Sequence, residues 1–409
     1  MKNDLDTLIR ARNLDAIMVS GKVLGNPPLV YMLNGACLTQ AIIIKKPDEA
    51  ASLIVSPMER EEALCSGLRI VLNSRYNYRE CLKVAQGDPL SASIEFYRRI
   101  FADLEIHGRV GVYGHLDQGY AYAFLTALDA ALADIEIVGE IGTDLMTQAR
   151  ATKDHIETER IREVGQRTCA IVDQTLAHLR SHAIDENEIL RKPDGTILTV
   201  DDMHTTISQL IAMQGLEDPV GFIFATGADA GIPHSRGTGS ALIRLGQTIV
   251  FDIFPREAGG GYFFDLTRTF CMGYAPPAAA KLYLDVLDCL RHIQSIIRCG
   301  HTTAEYQRAA CAFFTQRGHA TIEQNPATLD GYVHGLGHGV GLAIHESPGF
   351  EDTPSNTLRL APGHIFTLEP GLYYPDLGMG CRIEDILWVD EDGVMQNLTQ
   401  YPYELVVPI

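Results

Sequence analysis

Four carboxylates lie inside segments that otherwise have the apolar character of buried β-strands, and they constrain the fold more than any other feature. Asp252 interrupts QTIVFDIF, and Asp265 interrupts GYFFDLTRTF. Glu369 lies in HIFTLEPGLYY, and Glu384 lies in CRIEDILWV. Burial of a carboxylate is costly unless the group is paired or binds a metal. For Asp252 and Asp265, two separate surface positions or an ion pair with Arg268 are the alternatives, but four such acids in one region indicate a cluster.

Turn residues between these segments allow each pair of acids to share a hairpin. PREAGGG separates Asp252 from Asp265, and Gly, Pro and Asp residues separate Glu369 from Glu384. Carboxylates held side by side repel each other in a low-dielectric site, and a divalent cation relieves that repulsion. Arg382 lies two residues before Glu384 and is expected on the same face of its strand. A simple ion pair with one of the acids is the alternative role for this arginine.

Histidines are concentrated in the segment HGLGHGVGLAIHESP, which contains His334, His338 and His345. The interleaved glycines exclude a helix, and no Glu follows His334, so the segment is not a zincin motif. Phosphate-binding glycine motifs are also absent from the sequence. An extended glycine-rich segment that brings His338 close to a ligand fits better. His234, in ATGADAGIPHSRGTGS, lies in a small-residue loop and taken alone is typical of a surface histidine.

Apolar patterning predicts two parts of the chain. Strands and one helix are expected in the N-terminal third, at 14–20, 41–45, 51–56, 109–113 and 135–138, with the helix at 116–133. The spacing of Asp154 and Glu157 predicts a capped helix start. A second helix is expected from Pro277 to about Cys299, with Gly300 as its cap, whereas 181–201 is expected to be irregular. The glycine-rich, strand-like segments after residue 220 predict an antiparallel sheet with helices on one side.

The order Asp252, Asp265, His338, Glu369 and Glu384 resembles the pita-bread metallopeptidase family. That family includes methionine aminopeptidase, Xaa-Pro aminopeptidase and prolidase, with creatinase as a relative that lacks metal. The flanking segments DLTRTF, GHGVGLAIHESP, TLEPGLY and RIED also match, as do the IPH loop and KDHIETERIR. The resemblance implies an α/β N-terminal domain of the creatinase and prolidase type at 1–147. It implies an α+β pita-bread catalytic domain at 148–409, an antiparallel sheet flanked by helices.

The resemblance further implies two divalent metal ions, Mn or Co, with Fe or Zn as further options. Asp252 would bind one ion with both oxygens, Asp265 and Glu384 would bridge the two, and His338 and Glu369 would hold the second. A water activated between the ions would attack the peptide bond, with Glu369 relaying a proton. By the same resemblance, His345 and His234 join Glu369 in catalysis. The substrate-binding set would be His234, His334, His345 and Arg382.

The function implied is a metal-dependent exopeptidase that hydrolyses the N-terminal peptide bond of short peptides, with proline in second position. Dipeptidase and aminopeptidase activity are not separated by these motifs. A creatinase-like hydrolase of a small guanidino or amide compound is one alternative, and a non-enzymatic binding protein on the same scaffold is another. Both kinds of relative lose metal ligands, and all five positions are intact here. The interval from Asp252 to Asp265 is about two residues longer than is usual in the family, a change that preserves strand parity.

Composition limits the partners. With 33 Lys and Arg against 52 Asp and Glu, the formal charge is −19, which argues against nucleic acid and against an anionic membrane surface as partners. The 9 cysteines form no CxxC pair, which argues against a thiolate zinc site and for a reduced, cytoplasmic protein. The start MKNDLDTLIRARNLD does not resemble a signal peptide, and no apolar run approaches the roughly 18 residues of a membrane span. The family resemblance implies a homodimer.

Overall fold

The computed structural model describes residues 4–409 of the chain. The first three residues of the N-terminal segment that was compared with signal peptides lie outside the described residues. The chain forms two compact units. One comprises Met1–Arg150 with Gly259–Gly261, and the other comprises Ala151–Ala258 with Tyr262–Ile409. The boundary predicted between residues 147 and 148 falls inside a helix, Leu145–Ala151, and the division into a 1–147 and a 148–409 domain stays a prediction.

The first unit is built on a mixed, six-stranded sheet. Its strands are β1 (Ala16–Lys22), β2 (Gln40–Lys45), β3 (Ser52–Val55), β4 (Arg69–Leu72), β5 (Gly108–Tyr113) and β6 (Ile135–Val138). They are ordered β4-β3-β2-β1-β5-β6, and β2 alone among them runs antiparallel to its neighbours. Each of the five strands predicted in this part of the sequence is present, with ends shifted by at most two residues.

The α-helices of the first unit, from residue 4 onward, are α1 (Leu5–Ala11), α2 (Pro27–Leu33), α3 (Arg60–Leu64), α4 (Tyr78–Val84), α5 (Pro89–Asp103), α6 (Gln118–Ala131) and α7 (Leu145–Ala151). The core of the first unit forms where strand residues such as Val110 pack against Ile100 of α5 and Leu128 of α6, all fully buried. This packing explains why short apolar runs in the sequence predicted five of the six strands, whereas β4 was not predicted.

The helices of the second unit are α8 (His155–Arg180), α9 (Val200–Met213), α10 (Pro277–Ile296) and α11 (Thr303–Gln316). The start of α8 is as predicted, because Asp154 and Glu157 form a reciprocal capping box. The predicted end of α10 is wrong: the helix stops at Ile296, and Gly300 does not cap it. Ile297 has extended backbone and a buried side chain, and the amide of Gly300 bonds to Leu360 O, so tertiary contacts end the helix early.

The strands of the second unit form several small sheets. They are β7 (Ala183–Ile184), β8 (Leu190–Arg191), β9 (Leu216–Glu217), β10 (Ile223–Thr226), β11 (Thr248–Ile253), β12 (Arg256–Glu257), β13 (Leu266–Met272), β14 (Ile365–Leu368), β15 (Gly371–Tyr374), β16 (Met379–Arg382), β17 (Asp385–Val389), β18 (Met395–Asn397) and β19 (Val406–Val407). The sheets run β10-β11-β13-β19, β14-β17-β18, β15-β16, β12-β9 and β7-β8. All pairings are antiparallel except β13 with β19. The region 181–201, expected to be irregular, contains the short strands β7 and β8.

A buried core lies between α10 and α11 on one side and the strands near the C-terminus on the other. Val286 and Leu290 of α10 and Phe314 of α11 pack in one cluster with Leu368 and Leu372. The two helices therefore pack against one side of the strands β14 to β17. Among residues 4–409, no helix is both long and apolar enough to cross a bilayer.

Candidate active site

The first pair of acids is positioned by the hairpin of β11 and β13. Asp252 of β11 lies opposite Thr267 of β13, and Asp265 immediately precedes that strand. Because side chains alternate along a strand, Asp252, Thr267 and Asp265 share one face of the ladder. The longer FPREAGGG turn lies outside the β11–β13 ladder, so it does not disturb that register.

The second pair of acids lies where a long hairpin is interrupted, not inside strands as the sequence suggested. Leu368 pairs with Asp385 in one ladder, and Gly371 pairs with Arg382 in the next. Glu369 and Glu384 fall in the gap between these ladders. The gap has a physical cause in Pro370, which has no amide hydrogen to donate to a ladder. The amides of the two acids bond elsewhere, Glu369 N to Leu336 O at 2.8 Å and Glu384 N to Thr267 O at 3.0 Å.

Missing side chains in the glycine-rich segment let His338 approach the acids. A Cβ on Gly337 would lie 2.0 Å from Thr367 O, and one on Gly339 would lie 2.2 Å from Ser347 O. The backbone of the segment therefore runs directly against β14. Two hydrogen bonds fix His338 there, from Thr367 N to His338 O at 2.8 Å and from His338 N to Thr367 Oγ1 at 3.1 Å.

Three of the predicted ligands form a compact cluster. One ligand atom each from Asp265, His338 and Glu384 lies within 4.8 Å of the others. His338 Nε2 is 3.7 Å from Asp265 Oδ2 and 3.5 Å from Glu369 Oε1. Asp252 completes the group from the neighbouring strand. Asp252 Oδ1 and Asp265 Oδ1 are buried without any hydrogen-bond partner, which is costly for carboxylate oxygens.

The electrostatics of the cluster also favour a bound cation. Burial, followed by the neighbouring carboxylates, raises the pKa of Asp265 and of Glu384 well above their ordinary values. Burial raises the pKa of Glu369 to about 8 and lowers the pKa of His338 to about 3. Neutral His338 faces Gly339 O with Nδ1, at 3.2 Å, so Nδ1 carries the proton and Nε2 presents its lone pair to the carboxylates. The lone pairs of the carboxylate oxygens and of Nε2 point toward one another, and such an arrangement fits a divalent cation. A ligand set rich in oxygen with one imidazole suits Mn, Co or Fe.

All nine residues singled out from the sequence line one cavity of about 490 Å³. Besides the acids and His338, its wall contains His234, His334, His345 and Arg382. The rings of His338 and His345 meet edge to face with centroids 4.3 Å apart. His234 is exposed at the cavity, whereas burial lowers the pKa of His334 to about 3 and lowers the pKa of His345. The structure thus brings together residues that are up to 150 positions apart in sequence (His234 and Glu384).

Arg382 forms the ion pair that sequence reasoning offered as its alternative role. Its guanidinium pairs with Asp252 Oδ2. It also donates to Thr267 Oγ1 at 3.2 Å, to Pro233 O at 3.1 Å and to Tyr373 OH at 2.7 Å. The other suggested ion pair, of Asp252 or Asp265 with Arg268, does not form. Arg268 is three positions from Asp265, so it projects to the opposite face of β13 and pairs with Asp385 instead.

Sequence reasoning missed two polar residues that organise the cavity wall. Tyr373, fully buried, bonds through its hydroxyl to both His334 Nε2, at 2.9 Å, and Arg382. Thr267 donates to Glu384 Oε2 at 2.8 Å and accepts from Arg382. The alternation of side chains along a strand could have indicated both residues. Thr267 lies two residues after Asp265, and Tyr373 lies opposite the β16 strand that ends at Arg382.

A buried ion pair anchors the segment of His345. Lys153 Nζ lies 2.5 Å from Glu346 Oε1, and both side chains are almost fully buried. The sequence motifs KDHIETERIR and GHGVGLAIHESP supply one residue each. The absent side chain of Gly341 provides the space, since a Cβ there would lie 2.0 Å from Glu346 Oε1. The glycine-rich segment therefore accommodates backbone on one side and this ion pair on the other.

Comparison with known proteins agrees with this arrangement. A family model described as "Metallopeptidase family M24" matches residues 159–391, which is more than half of the chain. The chain belongs to metallopeptidase family M24. The matched region contains all nine site residues predicted from the sequence. The family predicted from the sequence is confirmed.

Individual relatives extend the match beyond that region. A probable dipeptidase PepE of Mycobacterium tuberculosis is 30% identical over 277 residues, which are 68% of this chain and 66% of that protein. An Xaa-Pro dipeptidase of Pyrococcus horikoshii is 27% identical over 408 residues, 99% of this chain and 95% of that protein. The solved Xaa-Pro dipeptidase from Bacillus anthracis superposes with a TM-score of 0.75 at 23% identity, covering 99% and 98% of the two chains. The predicted fold class, an α/β part followed by a pita-bread part, is confirmed.

Proposed function

We propose that this M24 protein is a metal-dependent exopeptidase that hydrolyses the N-terminal bond of short peptides with proline in second position. One observation carries the proposal: buried carboxylate oxygens without partners converge with the Nε2 lone pair of His338 in a cavity. Two relatives, a probable dipeptidase and an Xaa-Pro dipeptidase, support the choice of substrate class.

The residues that would hold the metal are those of the cluster. We assign two ions, Mn or Co, to the site. Asp252 would hold one and His338 with Glu369 the other, while Asp265 and Glu384 would serve both. When bound, such ions polarise a carbonyl and lower the pKa of water.

The remaining residues handle protons and substrate. Glu369 would accept a proton from water and deliver it to the departing amine nitrogen. His345 is kept neutral by burial and donates a ring N–H to the developing oxyanion. His234, which is exposed at the cavity, and His334, held by Tyr373, contact the substrate.

Two further assignments come with the proposal. A homodimer in the cytoplasm is expected from the family resemblance, and sedimentation as a monomer would contradict it. A creatinase-like hydrolase or a binding protein on this scaffold is disfavoured, because every one of the five ligand positions has a metal-binding side chain.

The test is an assay of purified protein loaded with Mn²⁺ or Co²⁺ against Ala-Pro and Ala-Pro-Ala. We expect cleavage of the Ala-Pro bond in at least one of them, and loss of activity after chelation with recovery on adding metal. Creatine and a simple amide serve as controls for the alternative chemistry. Absence of cleavage of both peptides by metal-loaded protein would refute the proposal.

A further inference from the structure

The arginine expected to bind a substrate carboxylate is already occupied. Arg382 is 3% exposed, and its guanidinium makes hydrogen bonds to Asp252, Thr267, Pro233 and Tyr373. A guanidinium has five N–H donors, so little capacity is left for a ligand. Its charge is also balanced by Asp252. This arginine therefore mainly pairs with Asp252 in the cavity wall.

A second arginine lines the same cavity with its charge unbalanced. Arg236 follows His234 by two positions in the loop that forms the cavity wall. Its guanidinium donates to Val220 O and lies over Gly221, where a Cβ would come within 2.8 Å of Arg236 Cζ. In the part of the chain that the structure describes, Arg236 forms no ion pair with any carboxylate. The side chain is exposed to the cavity mouth.

The other charged groups of the lining cannot replace Arg236 as an anion anchor. Four are the acids of the cluster, one is Arg382, and the last is Glu351, which is acidic. Carboxylate recognition by arginine is geometrically specific, because two N–H groups match two oxygens. An anionic group of a ligand in this cavity thus has one uncommitted cationic partner among the lining residues.

We propose that Arg236 binds the C-terminal carboxylate of the substrate and makes the enzyme a dipeptidase. This inference rests on the proposed function and narrows its substrate class to Xaa-Pro dipeptides with a free carboxylate. A dipeptide presents its carboxylate directly after the second residue, where a longer peptide has a neutral amide. Removing that charge replaces a charge-assisted hydrogen bond to Arg236 with a weaker neutral one, which weakens binding.

The experiment compares kcat/KM for Ala-Pro, its C-terminal amide and Ala-Pro-Ala, using metal-loaded wild-type protein and three variants. Wild type should prefer Ala-Pro over the amide by about 10- to 100-fold, the range expected for a charge-assisted hydrogen bond. Arg236→Gln should bring that ratio close to one, chiefly by raising KM for Ala-Pro. Arg236→Lys should retain part of the preference, because it keeps the charge but not the two-pronged geometry.

Arg244→Gln is the matched control. Arg244 likewise has a backbone carbonyl partner, Asn187 O at 3.4 Å, and it is not part of the cavity lining. Its substitution should leave the acid-to-amide ratio unchanged. Metal content and melting temperature of each variant verify that folding and metal loading are intact.

The outcomes separate the two proposals. If wild type cleaves none of the three peptides, the proposed function fails. If wild type cleaves the amide or the tripeptide with the same kcat/KM as Ala-Pro, or if Arg236→Gln keeps the wild-type ratio, the activity stands and the role of Arg236 is refuted. Equal changes for Arg236→Gln and Arg244→Gln would also refute it.

Discussion

Glu384 and Asp385 are neighbours in sequence and both are buried, yet their environments are opposite. Asp385 is fully buried and accepts hydrogen bonds from Arg268 at 2.9 Å, Gln294 at 3.1 Å and Asn397 at 2.6 Å, and from Tyr403. Glu384 is 2% exposed, and among the described residues only Thr267 donates a hydrogen bond to its carboxylate. Consecutive side chains project to opposite faces, so one carboxylate meets Arg268 and the other meets more acids.

The contrast separates a structural polar group from a functional one. Around Asp385, charge and hydrogen bonding are complete within the protein. Around Glu384, carboxylates face one another, two oxygens of the neighbouring aspartates have no partner, and the pKa of Glu384 is raised. Buried polar groups in folded proteins are normally satisfied, so such a cluster requires a partner from outside the chain. The difference teaches that burial of an acid alone does not identify a site, whereas burial with missing partners does.

The largest expected effect is that of Glu384→Gln, which keeps the shape of the side chain and removes its charge. Because Glu384 is assigned to both ions, we expect metal content to fall and kcat/KM for Ala-Pro to drop by at least about a thousandfold, since metal assistance contributes several kcal/mol. Metal analysis and steady-state kinetics measure this. The metal-free variant should be at least as stable as wild type, because a buried repulsion is removed. Full metal occupancy with wild-type activity would contradict the assignment.

Asp385→Asn should lower the free energy of unfolding and leave metal binding largely unchanged, the opposite of Glu384→Gln. It leaves the buried Arg268 without its charge partner, and breaking a buried ion pair from one side costs about 3–5 kcal/mol. Urea unfolding of the metal-free protein measures the change in the free energy of unfolding. The metal affinity of the folded fraction should change much less than in Glu384→Gln. A loss below about 1 kcal/mol would show that Asp385 is not the structural counterpart of Glu384.

These two neighbours also show how far residue type alone can predict a site. An acid within an apolar segment is visible in the sequence, and the repeated pattern at Asp252, Asp265, Glu369 and Glu384 was enough to predict that these four acids cluster. The sequence did not reveal which acid Arg268 pairs with, because the pairing depends on which strand lies against that face of β13. Nor did it place Glu369 in a gap between ladders, since local apolarity does not report the pairing partner.

Elements outside the acid-bearing segments were predicted less well for a related reason. The helices α9 and α11 were not expected, although Thr199 and Asp202 form a capping box at the start of α9. The early end of α10 depends on Leu360, which is distant in sequence. Periodicity predicts that an element exists, but its ends and its neighbours are decided by contacts that a single segment does not contain.

A smaller expected effect is the pH dependence of stability in the metal-free protein. Glu369 has an ordinary pKa of 4.5 and a folded-state pKa of about 8, so between these values the folded state binds the proton more tightly than the unfolded state. Buried His334 and His338, whose pKa values are lowered, act in the opposite direction below about pH 6.5, so stability should fall as pH rises from about 6.5 to about 8. Asp265 and Glu384 act in the same direction as Glu369. Melting temperatures across this range, with Glu369→Gln as the control that flattens the slope, measure the effect.

Metal should reverse that trend and so sharpen the contrast with Asp385. A bound cation favours the ionised carboxylates, and its affinity rises as their protons leave. The increase in melting temperature on adding Mn²⁺ should therefore grow with pH, whereas the metal-free Asp385→Asn protein should keep the wild-type slope. A melting temperature of metal-free protein that rises steadily from about pH 6.5 to about 8 would contradict the electrostatics assigned to the cluster.

The smallest predicted effect tests whether the organisation behind the cavity matters for turnover. The hydroxyl of Tyr373 bonds both His334 and Arg382, so Tyr373→Phe removes two hydrogen bonds without altering any proposed ligand. Loss of such outer contacts lowers activity by about 10- to 100-fold in metal sites, and we expect the lower end because Arg382 keeps its pair with Asp252. Metal content should stay at the wild-type level. Tyr374→Phe is the matched control, since that hydroxyl bonds His319 outside the cavity. Equal losses in both variants would assign the effect to packing and not to the wall formed by His334 and Arg382.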